Sequence, residues 1–348
     1  MSNEYYAVIL EIDEREVKLG FAGESTAHVR VTSKTRLWKD LVPHSESRRS
    51  LPAFLQVDSH AISQSFKNDM LDELFSPGAY RDMLQAFERD RAEVKWFKWG
   101  SDNYRTLSAI VNLSLSSKLL VSPLKTKLFI IDKAYSALEK ALVCKTFLRT
   151  NTAASITFLP YSPCCCISSG VENALVVALE WSSCKLVPVL DLRSLPAKEL
   201  VQFTGESVHY SPTISHKTKN FEEVELEIYA DKGIIESALF LNGELPAKIA
   251  AVVKGLEIDS RACVAENIIF TGSLSQIPGV KGRILTEVAS HLPGYNVAGK
   301  VCLGAWAGAS LYCSTTLLKQ KNSEWKHLEI SRAGFEKTST AVLEAYQN

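Results

Sequence analysis

The chain has 348 residues, 46% of them hydrophobic and 22% charged, with 17 Gly and 12 Pro; that is too apolar for a disordered chain and too mixed for a fibre. At about 150 residues per domain the length suggests two domains, each able to bury a core. Lys plus Arg, 39, balances Asp plus Glu, 39, so no global positive field draws the chain to nucleic acid or anionic lipid.

The amino terminus carries acidic residues in place of a basic leader, and no stretch approaches the roughly 18 apolar residues of a membrane span. A cytosolic or nuclear protein is expected. The alternation in YYAVILEID, a turn at Asp13-Glu14-Arg15 and then EVKLGFAGE predict an opening hairpin. Residues 31–60 are polar, hold Pro43, Pro52 and Arg48-Arg49, and read as an excursion away from the core. Met70, Leu71 and Leu74, then Met83, Leu84 and Phe87, suggest two short helices broken at Ser76-Pro77-Gly78.

Lys127-Leu128-Phe129-Ile130-Ile131-Asp132 follows a Pro123 turn and reads as a buried strand. A helix up to Phe147 and a second buried strand, Ser155 to Leu159 ended by Pro160, complete a βαβ unit with parallel strands. The hairpin pattern then recurs: Asn173 to Glu180, a turn near Trp181-Ser182-Ser183, and Cys184 to Leu190. Two such hairpins suggest an internally duplicated α/β architecture. Residues 199–243 are less regular and include the strand-like FEEVELEIYA. Asn267 to Phe270 reads as a strand running into Thr271-Gly272-Ser273, with helices predicted over 280–292 and 306–318.

The eight cysteines contain no C-x-x-C pair, and the Cys164-Cys165-Cys166 run lacks the spread of a zinc site, so buried free thiols are expected. The seven histidines are scattered without ligand spacing, and no metal site is expected. Asn112-Leu113-Ser114 fits a glycosylation sequon, which is silent in a reducing compartment.

Four segments in order carry a family likeness: Gly20-Phe21-Ala22-Gly23-Glu24; the second hairpin with Val187-Pro188; Ile268-Ile269-Phe270-Thr271-Gly272 with Ile277-Pro278-Gly279; and Trp306-Ala307-Gly308-Ala309-Ser310-Leu311. Together they resemble actin and the actin-related proteins. The stretch Leu119 to Pro123 leading to Phe129-Ile130-Ile131-Asp132, and Phe158-Leu159-Pro160, are most similar to the divergent subgroup at the pointed end of dynactin. Chromatin-remodelling actin-related proteins are the nearest competing subgroup.

The resemblance implies an actin-like duplicated two-lobed fold with ribonuclease H-like halves. The first lobe would comprise 1–168 plus 304–348, with 31–68 as a divergent small subdomain. The second would comprise 169–303, with 199–243 as a reduced small subdomain. The family holds a nucleoside triphosphate between its two hairpins, with glycine turns at the phosphates and an acid on each side for the metal. The corresponding residues are Glu11 and Glu180, with Thr271, Gly272 and Ser273 beside base and sugar.

This cleft is degenerate. Asp13 and Arg15 replace turn glycines, and a carboxylate facing a phosphate oxygen at about 4 Å costs roughly 4 kcal/mol at an effective dielectric of about 20. Trp181 stands in the second turn, Pro160 replaces a water-orienting glutamine, and Lys185 replaces a histidine. Taken as purely structural, Glu180 reads as a solvated turn carboxylate and Thr271-Gly272 as a tight strand-to-helix turn. The expectation is no catalytic residue, no ATP hydrolysis, weak or absent ATP binding and no required cofactor.

The short stretch between Pro196 and Glu266 and the unusual 31–68 segment leave one filament-contacting end reduced. A subunit lacking one of two heterologous surfaces stops a filament, which is the geometry of a cap. Trp96, Phe97 and Trp99 in KWFKWG are the interface candidates, with a core role for two of them as the alternative. The resemblance thus implies a non-catalytic dynactin pointed-end subunit, a pseudo-ATPase supporting dynein-dependent microtubule transport and nuclear or spindle positioning. Its partners would be actin-related filament subunits and other pointed-end subunits, in the cytoplasm, on the cytoskeleton and at spindle poles or microtubules. The alternatives are a scaffold of a chromatin-remodelling complex, for which no basic import run is seen, and an active ATPase, which Asp13, Arg15, Trp181 and Pro160 oppose.

Overall fold

The computed structural model describes residues 5–13, 16–32, 101–135, 137–180, 183–195, 199–202, 214–217, 223–226, 239–240, 244–277, 279–317, 328–332 and 334–335. The predicted helices of 68–99 and Trp96, Phe97 and Trp99 lie outside them. The chain divides into two compact units, residues 1–161 with 309–348, and residues 162–308.

The first unit is built on a mixed sheet. Its strands are β1 (Tyr6–Ile12), β2 (Glu16–Phe21), β3 (Val29–Thr32), β4 (Thr126–Asp132) and β5 (Ser155–Pro160), with the short β14 (Ile330–Ser331) at the edge, in the order β14-β5-β4-β1-β2-β3. Strand β1 pairs antiparallel with β2 and parallel with β4, and β4 pairs parallel with β5. Central strands covered on both faces need unbroken apolar runs, and Val8, Ile9, Leu10 and Leu128 to Ile131 are all fully buried. The helix Ala137–Arg149 makes the β4-to-β5 crossover and buries Phe147. Residues 31 and 32 belong to β3 and not to an excursion, and the rest of the segment 31–60 lies outside the described residues; Val29 and Val31 alternate inward and hold that edge strand to the core.

A helix unmarked in the sequence reading, Ser101–Leu113, carries Ser108 and Asn112 into a hydroxyl network. Ser108 bonds Thr150 and Thr152 at 2.8 and 3.0 Å, and the Asn112 amide of the sequon-like triplet donates to Thr152 at 2.8 Å.

In the second unit β6 (Ala174–Leu179), β7 (Ser183–Leu190), β8 (Arg193–Ser194), β12 (Ile268–Thr271) and β13 (Gly299–Lys300) run in the order β13-β12-β6-β7-β8, with β9 (Glu199–Gln202) on β7. Strands β10 (Ile214–Lys217) and β11 (Glu223–Leu226) pair separately. Each large sheet repeats one scheme: an antiparallel hairpin whose first strand takes a parallel neighbour on its other side. Two helices absent from the sequence reading, Leu245–Lys254 and Ile258–Glu266, cover this sheet with Val280–His291. Ile249 and Val253, four residues apart, join Ile284 and Val288 in one core. The helix expected over 306–318 is α-helical only over Ala305–Tyr312 and widens into a π turn, Cys313–Leu317.

Two likeness-bearing segments meet inside the first unit. Gly23, at φ +100°, donates its N–H to the Ser310 hydroxyl at 2.9 Å, and that hydroxyl donates to the Glu24 carbonyl at 2.7 Å. The Phe21 N–H donates to the Glu24 carboxylate at 3.0 Å. Ser310 is fully buried, so Ser310→Ala leaves a turn N–H without its acceptor. The variant should lose about 1–3 kcal/mol of unfolding free energy, read by urea denaturation.

Candidate functional site

Sites in open α/β sheets form at the carboxyl ends of parallel strands. In the first unit β1, β4 and β5 end together, and the register pairing Leu10 with Ile130 carries on to bring Asp13 alongside Lys133. Glu11, 4% exposed, receives the Lys18 ammonium at 3.3 Å, and the Lys133 ammonium lies 4.0 Å from its other oxygen. Lys133 reaches Asp13 at 3.1 Å, and Lys18 also reaches Glu16 at 3.4 Å, with Arg30 beside that carboxylate at 3.7 Å. Among the described residues, Glu11, Asp13 and Glu16 of the hairpin therefore face Lys18 of β2, Lys133 of the loop after β4 and Arg30 of β3. Burial works against the Lys18 charge, yet Glu11 first, then Glu16 and Asp13, outweigh it and raise its pKa above the ordinary 10.5, with Lys133 opposing.

The loop after β4 is shaped to deliver Lys133. Asp132 accepts the Tyr135 N–H at 2.7 Å and pairs with Lys140 at 2.6 Å, while Ala134 takes the left-handed φ of +68°. Lys133 itself is 7% exposed and stands 5.1 Å from the Tyr161 ring centroid. Pro160 ends β5 opposite Asp132 and is exposed. Nothing local in the sequence marked Lys133; only the long-range pairing of β1 with β4 brings it to Asp13.

The second unit brings Glu180, Thr271, Gly272 and Ser273 to neighbouring strand ends, because Ala178 of β6 pairs with Thr271 of β12. Glu11 belongs to the first unit. Glu180 is 5% exposed, so it is not a solvated turn carboxylate: it continues a strand buried along its whole length. Gly272 has φ +88°, and a Cβ there would lie 2.4 Å from the Leu179 carbonyl oxygen. A side chain is excluded twice over, by backbone conformation and by contact. The Ser275 hydroxyl donates to the Gly272 carbonyl at 2.7 Å as the turn enters the 3-10 helix Ser273–Gln276. Lys185 pairs opposite Ala178 and is half-buried. Arg15 and Trp181 lie outside the described residues.

No family model matches the chain. Actin-related protein 4 of Neurospora crassa is 30% identical over 107 residues, and Actin-related protein 4 of Gibberella zeae is 31% identical over 107 residues. Over that stretch the chain is similar to these two actin-related proteins. The matches cover 29% of this chain and 21% of each relative, so the chain matches about a fifth of these actin-related proteins' length. Among the described residues no helix is long and apolar enough to cross a membrane.

The cysteines are free; six are buried, while Cys263 and Cys302 are half-buried. Cys302 was not singled out by the sequence. Its sulfur lies 3.2 Å from the Ser168 hydroxyl and accepts the Gly304 N–H at 3.3 Å. Hydrogen bonding with Cys165 first, then Ser168 and Gly304, draws the thiol down to about 6 against the effect of burial. Burial pushes Cys144, Cys166 and Cys184 up to about 12. Since the thiolate is the nucleophile, iodoacetamide labelling of Cys302 should rise through pH about 6 and plateau above it. Peptide mapping should find Cys144, Cys166 and Cys184 unlabelled at neutral pH.

Proposed function

We propose that the chain is a non-catalytic, structural actin-related protein on a duplicated two-lobed frame, serving as a cap subunit at the pointed end of dynactin. The observation that carries the non-catalytic part is the ion cluster of the first hairpin. A metal-bound triphosphate needs free carboxylates for the metal's waters and close backbone N–H groups for the phosphates. Here Glu11, the first hairpin's acid, is engaged by Lys18 and Lys133, Asp13 in a turn glycine's place pairs with Lys133, and the sequence Asp13-Glu14-Arg15 contains no glycine. The residues present do not fit that group.

The repeated hairpin-plus-parallel-strand scheme supports the duplicated frame, and the four ordered segments of likeness support the family. The pointed-end assignment rests on the likeness of Leu119 to Pro123, Phe129 to Asp132 and Phe158 to Pro160 to that subgroup. In this reading the partners are actin-related filament subunits and other pointed-end subunits, and the setting is the cytoplasmic cytoskeleton, with dynein-dependent transport as the process served.

Titration calorimetry with Mg-ATP should show no micromolar binding, and phosphate release should stay at background. Affinity purification of the tagged chain from its own cells should return dynactin subunits. Recovery of chromatin-remodelling subunits in their place would replace the assignment with the nuclear one.

A further inference from the structure

We infer that Lys133 is the resident cation of the first hairpin, an ammonium that neutralises Glu11 and Asp13 from within the chain and keeps a divalent cation from binding beside them. The inference rests on the actin-like reading of that hairpin and adds how the unit holds its carboxylates without metal or nucleotide. Three independent features converge on the residue. The β1–β4 register brings it beside Asp13, the left-handed Ala134 and the Asp132–Tyr135 bond shape the loop that carries it, and the Tyr161 ring stands over the ammonium. Its ammonium lies 3.1 Å from Asp13 and 4.0 Å from Glu11, with a side chain only 5% exposed.

A buried carboxylate such as Glu11 is tolerable only with a matching cation in place, and Asp13 beside it is half-buried. With Lys18 completing Glu11 from the other side at 3.3 Å, a divalent cation entering the turn would approach two ammonium groups, and repulsion opposes its binding. The counter-charge of Glu11 and Asp13 thus comes from the chain itself, and removal of Lys133 takes away the ammonium 3.1 Å from Asp13 and 4.0 Å from Glu11.

The test uses the full chain, with melting temperature read with and without millimolar Mg2+. Wild type should melt at the same temperature in both. Lys133→Met should melt about 10 °C lower, as expected for a buried pair stripped of one partner, and Mg2+ should restore part of the loss. Adding Asp13→Asn to Lys133→Met should recover stability and abolish the Mg2+ response. If Lys133→Met alone does not fold, folding of the double variant supports the inference and its failure to fold overturns it. Mg2+ raising the wild-type melting temperature, a Lys133→Met chain that melts with wild type or ignores Mg2+, or a double variant no more stable than the single one each overturn it. Mg2+ binding by a wild-type chain that still recovers dynactin subunits would remove this inference and leave the pointed-end reading in place.

Discussion

The parallel pairing of β1 with β4 is the constraint on which the first unit depends. It joins residues 6–10 to residues 126–130, separated by more than a hundred positions of chain. Closing so long a loop costs entropy that local contacts cannot return. Full burial of Val8, Ile9, Leu10 and Leu128 to Ile131 offsets that cost, at about 25 cal/mol for each Å² of apolar surface removed from water. Once the register is set its consequences are not optional. A slip by one residue would move every side chain of β1 to the opposite face of the sheet, where it would meet packing shaped for its neighbour, and the same register carries Lys133 to Asp13.

The unit's other closure is polar and smaller. Residues 309–348 return to the amino-terminal half, where Ser310 bridges the N–H of Gly23 and the carbonyl of Glu24, and Ile330 pairs with Ile156 on the free edge of β5. A neighbouring ion pair between Lys127 and Glu329, at 2.7 Å with both side chains largely covered, sits beside that edge pairing. These polar contacts fix where the returning segment lies, and Ala309, Cys313, Leu317 and Phe335 are apolar residues of that segment that are buried as well.

Legibility followed the range of the interaction. The hairpins, the βαβ crossover and the strand before Gly272 were readable because their signals are local: alternation, unbroken β-branched runs and Pro or Gly punctuation. The helices Leu245–Lys254 and Ile258–Glu266 have no counterpart in the sequence pattern because they are short and follow directly on 199–243, the stretch that reads as irregular. Glu180 misled for a related reason. A glutamate before Trp181-Ser182 looks like turn chemistry, but it extends β6, whose every residue is buried, and the neighbouring strand turns tightly across its end. Asp13 was recognised as a charge in a phosphate turn, while the lysine that answers it stood in another element altogether.

The two sheets share a strand scheme and part company at their carboxyl ends, and the physical difference between those ends is instructive. The second unit closes by steric fit: Gly272 has no room for a Cβ against Leu179, and Ser275 ties the turn from within. The first closes by charge, with Glu11, Asp13 and Glu16 answered by Lys18, Lys133 and Arg30. A steric closure is insensitive to ions, whereas an ionic one is insensitive only when every charge has its partner inside the fold. Among the described residues of the hairpin, Glu11, Asp13 and Glu16 each have such a partner. The geometry of the Lys133 loop, with Asp132 engaged by Tyr135 and Lys140, leaves Lys133 aimed at the hairpin. Counter-charge for Asp13 therefore comes from a neighbouring strand's loop, so the hairpin's ionic closure depends on the same β1–β4 register as the apolar core.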